Sequence, residues 1–221
     1  MTIAAPVKIP IKNLQLATGS MVTITEVSWE EFEAILTELG EDRRTRIAYC
    51  NGVLEIMSPL PAYERFHRLI AAIVTTLLDA QERDWEDFGS TTFKEKAKKV
   101  GLEPDTCFYI AHAEAVRDCL RMDLSVYPPP DLAIEADVTS KTTLDAYELL
   151  QVPEVWIYDS GKLMIYLLEN GQYQESTVSQ VFPHLAISVL VPELIAKALQ
   201  VGSSQMLRDL RRQMTPGGLV E

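Results

Sequence analysis

The sequence predicts a mixed α/β (α+β) domain, and three observations carry that reading. Amphipathic helical stripes alternate with short strand patterns along a chain of 221 residues. Asn51-Gly52 and Asn170-Gly171 each sit between strand-like runs, as type I′ hairpin turns require. Apolar residues make up 47% and charged residues 24%, a composition that fills a core and excludes disorder, collagen and coiled coil. The length suits an extended N-terminal segment (1–25), one sizeable domain (26–200) and a C-terminal helical tail (201–221).

Pro6 and Pro10 keep the N-terminal segment out of a helix. Ser28 and Glu31 form a capping box, and Val27 with Phe32 has the spacing of a hydrophobic staple. The apolar stripe Trp29, Phe32, Ile35, Leu36 and Leu39 then predicts a helix that Gly40 ends. Arg46–Cys50 and Val53–Met57 read as the first hairpin. A long helix follows over about 62–84, with a broad apolar face from Tyr63 to Leu78 that packs on a sheet. Phe88–Val100 reads as one strand presenting Lys94, Lys96 and Lys98 on one face. Thr106–Ile110, Asp131–Val138 and Val155–Tyr158 read as further strands, with helices near 114–120 and 144–150. After the second hairpin the chain ends in helices at 192–200 and 204–214.

The net charge of -12 argues against a protein that coats phosphate backbones. The excess is local. Glu26–Asp42 holds seven acids and no base, and Asp79–Asp87 holds five acids and one arginine. The longest apolar stretch, Leu69–Leu78, is too short to span a bilayer, and residues 1–20 lack a secretory signal pattern. Cys50, Cys107 and Cys119 are an odd count without metal or redox spacing, so they read as reduced thiols in a cytoplasmic protein.

The chemistry concentrates in Asp131-Leu-Ala-Ile-Glu135-Ala-Asp137-Val. Alternation puts Asp131, Glu135 and Asp137 on one face, where three carboxylates repel each other unless water, a base or a cation neutralises them. An edge strand with a wet, acidic face fits the same pattern. Glu103-Pro104-Asp105 opens another short strand, and Lys141 stands where the chain enters a helix. Two acidic clusters at strand starts with a nearby lysine suit an oxygen-ligand site for Mg²⁺ or Mn²⁺ acting on phosphate.

The blocks Gly101-Leu-Glu-Pro-Asp105, Pro129-Pro-Asp131-Leu-Ala-Ile-Glu135, Tyr147 and Val152-Pro-Glu-Val-Trp156-Ile-Tyr resemble the Uma family of putative restriction endonucleases. That family belongs to the PD-(D/E)xK nuclease superfamily, and the resemblance covers roughly residues 25–200. It implies a restriction-endonuclease-like core, a mixed central β-sheet flanked by helices, and Mg²⁺-dependent hydrolysis of DNA. It also implies that Asp105 and Glu135 are metal ligands, with Asp131 a further carboxylate. The superfamily pattern has lysine two residues after Glu135; here Asp137 stands there, and Lys141 on the following helix is the candidate. An acid on the first core helix can complete such a site, which points to Glu64, one turn from His67.

Each candidate has a plainer counterpart. Glu64 fits a solvated first-turn acid, and His67 borders the apolar face. Lys94, Lys96 and Lys98 fit either phosphate contacts or a charged edge strand. Arg208, Arg211 and Arg212 read as a solvated helix face. Trp156, Tyr158 and Tyr166 read as core and cross-strand packing. The functional expectation is a metal-dependent endonuclease with DNA as substrate, acting without a membrane and as a homodimer. The alternative is a nuclease fold kept for binding DNA or protein, motivated by Asp137. A sugar hydrolase built on paired carboxylates needs aromatic platforms that are not placed here.

Overall fold

Two sheets and the helix between them place the site. The computed structural model describes residues 10–40, 43, 45–136 and 140–214, without the side chains of 61–63 and 141–142. In chain order its strands are β1 (Met21–Ile24), β2 (Arg46–Cys50), β3 (Val53–Met57), β4 (Glu86–Asp87), β5 (Phe93–Glu95), β6 (Val100–Leu102), β7 (Thr106–Tyr109), β8 (Leu132–Glu135), β9 (Glu154–Asp159), β10 (Lys162–Glu169) and β11 (Gln172–Ser176). Its helices are α1 (Trp29–Leu39), α2 (Pro61–Ala80), α3 (Ala113–Val116), α4 (Lys141–Leu150), α5 (Ile187–Val201) and α6 (Ser203–Met214).

The first sheet is antiparallel, in the order β1-β3-β2-β6-β5. Asn51 and Gly52 carry φ of 48° and 87°, the left-handed pair that a type I′ turn needs. β1 pairs with β3, so the end of the N-terminal segment contributes a strand beyond the extended chain expected. α1 lies on this sheet. The Ser28 hydroxyl accepts from the Glu31 amide at 3.2 Å and the Glu31 carboxylate accepts from the Ser28 amide at 2.8 Å, which closes the capping box. Phe32 and Trp29 then pack with Ile47, Tyr49, Leu54 and Ile56.

The second sheet is mixed, in the order β11-β10-β9-β8-β7-β4, with β8 and β9 parallel and every other pair antiparallel. A parallel pair needs a crossover, and α4 provides it. α4 packs against β2 and β6 of the first sheet, so it is sandwiched between the two. On the other face of the second sheet, α2, α5 and α6 cover Leu132, Ile134, Trp156 and Ile165. The result is a mixed sheet flanked by helices, as expected. Among the described residues no helix is long and apolar enough to cross a membrane.

Several expectations are corrected. Phe88–Val100 is not one strand: β4 belongs to the second sheet and β5 to the first. The 3₁₀ turn Lys96–Lys98, with Lys99 at φ 48°, then reverses the chain into β6. The acidic strand is not an edge but a central strand, and all four residues of β8 are buried. Asp137 lies outside the described residues. The C-terminal segment is helical over α6, and its Met206 and Leu210 are fully buried against the core. A third hairpin turn, Ser160-Gly161, joins β9 to β10 with φ of 49° and 80°. Arg208, Arg211 and Arg212 are exposed, as a solvated face requires.

Gly101 is the tightest point of the first sheet. A Cβ there would run into the Phe32 ring, which stacks on Tyr49 at 4.4 Å and has nowhere to retreat. Gly101→Ala is expected to cost about 1–3 kcal/mol through overpacking. Guanidinium denaturation of the variant, compared with wild type, measures that loss.

Candidate active site

Strand pairing builds the site. β7 runs antiparallel to β8 with Thr106 opposite Ile134. The next residues out, Asp105 and Glu135, are therefore neighbours across the ladder. The Ala136 amide donates to Asp105 Oδ2 at 2.9 Å, and both carboxylates are buried, 6% and 8% exposed. From α4, the Tyr147 hydroxyl donates to Glu135 Oε1 at 2.5 Å. Burial first, and the Asp105 charge second, push the Glu135 carboxyl well above the ordinary carboxylate range; the Tyr147 bond opposes them. Burial likewise pushes the Tyr147 phenol up.

Arg46, the first residue of β2, joins this pair to α2. Its Nε lies 3.8 Å from Asp105 Oδ1, and its NH2 group donates to Glu64 Oε1 at 3.4 Å. Glu64 also faces His67 Nε2 at 3.7 Å and Arg68 at 3.7 Å. Burial lowers the His67 pKa, while the charges of Asp105 and Glu64 pull it back up. The two residues one turn apart thus share a side, with His67 buried beside the apolar face of α2.

A cleft between the first sheet and α4 opens onto the pair, lined by Arg46, Glu55, Glu103, Asp105, Glu135 and Ser140 among others. Glu55 of β3 accepts from the Ser140 hydroxyl at 2.5 Å, while Ser140 caps α4 by accepting from the Thr143 amide at 3.1 Å. Glu103 is held by Arg43 and by Thr92. Sequence reasoning gave no role to Glu55, Arg46, Ser140 or Tyr147. One local signal existed, since Glu55 is a lone acid in the otherwise apolar strand Val53–Met57.

The other expected residues divide. Asp105, Glu135 and, through Arg46, Glu64 come together. Lys141 opens α4 directly after the Ser140 cap, but its side chain lies outside what is described. Asp131 does not join the pair. It precedes β8, about 13 Å of strand from Glu135. Its carboxylate is spent on the amides of Ile110 and His112, at 2.6 and 3.0 Å, and on His112 Nδ1 at 2.6 Å. Lys94, Lys96 and Lys98 each face an acid (Glu33, Glu30 and Glu95), and β5 is the edge strand of its sheet.

Among the described residues no group of three or more His, Cys, Asp and Glu side chains is gathered to hold a metal. What is gathered is a buried carboxylate pair. Mg²⁺ takes one or two protein carboxylates and completes its shell with water and phosphate oxygens, so the donor set fits. Burial and the neighbouring Asp105 charge raise the Glu135 pKa, and a cation held between the two carboxylates would oppose both.

Residues 29–201 match the model of the Uma2 family, described as putative restriction endonucleases. Among solved structures the chain is similar to a putative nuclease belonging to DUF820 from Anabaena variabilis ATCC 29413. The two are 15% identical with a TM-score of 0.49, over 75% of this chain and 97% of that one. No curated protein matches.

The Glu135 shift has a measurable sign. The folded protein keeps this proton to higher pH than the unfolded chain, whose glutamate titrates near 4.5. Above that value the folded form binds more protons, so the stability contributed here falls as pH rises. Glu135→Gln removes the slope. In EDTA, guanidinium denaturation at about pH 5 and pH 8 should show the variant gaining on wild type, with the larger gain at the higher pH. Equal gains at both would mean that Glu135 ionises normally.

Proposed function

The chain belongs to the Uma2 family, and from that premise we propose that it is a metal-dependent endonuclease that hydrolyses DNA phosphodiester bonds. The observation that carries the reading is the buried pair Asp105 and Glu135, side by side and each oriented by a hydrogen bond. These two carboxylates would hold Mg²⁺ or Mn²⁺. When bound, such an ion supplies Lewis-acid stabilisation of phosphoryl oxygens and makes water more acidic.

The chain's own groups do the rest. The Ala136 amide and the Tyr147 hydroxyl fix the two carboxylates, so little reorganisation is needed as charge develops. Glu64, linked to Asp105 through Arg46, completes the acidic wall on the α2 side. Lys141 in the first turn of α4 is assigned to orient the attacking water or offset developing charge. A groove rich in hydroxyls and cations adjoins the site, lined by Thr45, Thr91, Thr92, Lys94 and Arg121 among others. Such groups suit a phosphate backbone.

The test is cleavage of plasmid and linear DNA with Mg²⁺ or Mn²⁺, run beside calorimetric metal titration. Wild type should bind metal and cut, and Glu135→Ala should lose at least ~10²-fold in rate, the scale of removing one preorganised group. If wild type neither binds metal nor cuts, the fold is a DNA- or protein-binding module instead. A Glu135→Ala variant that cuts like wild type would place the chemistry elsewhere.

A further inference from the structure

Arg46 has more hydrogen-bonding capacity than its surroundings use. A guanidinium carries five N–H donors in a rigid fork. Of these, NH2 makes one long bond to Glu64 at 3.4 Å, and Nε is buried without a hydrogen-bond partner. The nearest acid to Nε, Asp105 Oδ1, is 3.8 Å away, beyond hydrogen-bonding range. Leaving a buried donor unpaired is unfavourable, more so on a charged group. Arg43 nearby is held by Glu103 and the Gly40 carbonyl.

Position adds a second, independent observation. Three clefts open around the carboxylate pair. One contains Glu55 and Glu135, one runs along α2 past Glu64 and His67, and one is the hydroxyl-rich groove. Among the described residues Arg46 is the single side chain that lines all three. Its side chain is 18% exposed, enough for a ligand to reach it and too little for water to satisfy it fully. A planar fork with spare donors, at the junction of three clefts and beside two carboxylates, matches the geometry of a phosphodiester.

We infer that Arg46 grips a non-bridging oxygen of the phosphate being attacked, and so is a catalytic residue of this site. The inference deepens the nuclease reading and rests on it for the chemistry; the phosphate contact itself can be tested without turnover. As substrate arrives, the guanidinium keeps its contact with Glu64 and turns its unused N–H groups to the phosphate. Charge on the phosphate then meets a guanidinium between Asp105 and Glu64.

The experiment measures binding of a fluorescein-labelled DNA duplex by anisotropy, in Ca²⁺ and in EDTA, across a salt series. Arg46→Gln should weaken binding at least tenfold in Ca²⁺. It should also reduce the slope of log affinity against log salt by about one, the signature of one lost phosphate contact. Arg46→Lys keeps the charge without the fork, so its slope should stay while affinity falls severalfold. It also serves if circular dichroism shows that Arg46→Gln does not fold. Millimolar guanidinium should partly restore cleavage by Arg46→Gln, which a merely structural role would not allow.

Wild-type affinity and slope in Arg46→Gln, or in a folded Arg46→Lys when Arg46→Gln is unfolded, would overturn the assignment. So would a wild type that binds no DNA in either buffer. A wild type that never cuts, yet whose DNA binding depends on Arg46, would remove the nuclease reading and leave the phosphate site standing. Cleavage that persists in Arg46→Gln with unchanged binding does the reverse.

Discussion

Everything at this site depends on the antiparallel pairing of β7 with β8. That ladder puts two carboxylates, Asp105 and Glu135, side by side in the interior, where a buried polar group is costly unless it is hydrogen-bonded. A pair like this persists only if its neighbours are arranged around it. The Ala136 amide faces Asp105, the Tyr147 hydroxyl faces Glu135, and the Arg46 guanidinium lies beside both Asp105 and Glu64. Each comes from a different element, so β8, α4 and β2 are all positioned with respect to two acidic side chains.

α4 ties those elements together. It must exist because β8 and β9 are parallel neighbours and need a crossover. Sandwiched between the sheets, it buries Ala146, Tyr147 and Leu150 in a core shared with β6, β7 and β9. Its N-terminus is bound to the first sheet by the Ser140–Glu55 hydrogen bond, and its middle to the second by Tyr147–Glu135. One helix therefore sets both walls of the cleft, and a shift of α4 would move the acids of both sheets at once.

Much of this was legible because the signals are local. The Ser28–Glu31 box, the Asn-Gly turns and the acids at the strand ends each declare themselves within a few residues. The central position of β8 was harder to read. Leu132, Ala133 and Ile134 are the near-continuous apolar run of a strand buried on both faces, whereas the acids flanking them imitate alternation. Asp131 and Glu135 share a parity but serve opposite ends, one tying down His112 and one facing Asp105. The break after β5 was hidden because Lys99 adopts the left-handed conformation that glycine or asparagine usually announces. Arg46 and Glu55 enter the site through contacts far apart in sequence, which no local pattern records.

The acid excess also acquires a structural meaning. Glu30 and Glu33 of α1 lie against Lys96 and Lys94, and Glu95 against Lys98, so most of the chain's most basic run is paired with acids. Little long-range positive field remains to draw in a polyanion, and exposed ion pairs of this kind are screened in any case. On the proposed reading, recognition of a phosphate chain comes from short-range contacts at the clefts. There a half-satisfied guanidinium joins a row of hydroxyls to the buried carboxylate pair. A site built this way discriminates by fit, because an anion gains from it only when its oxygens reach the unused donors.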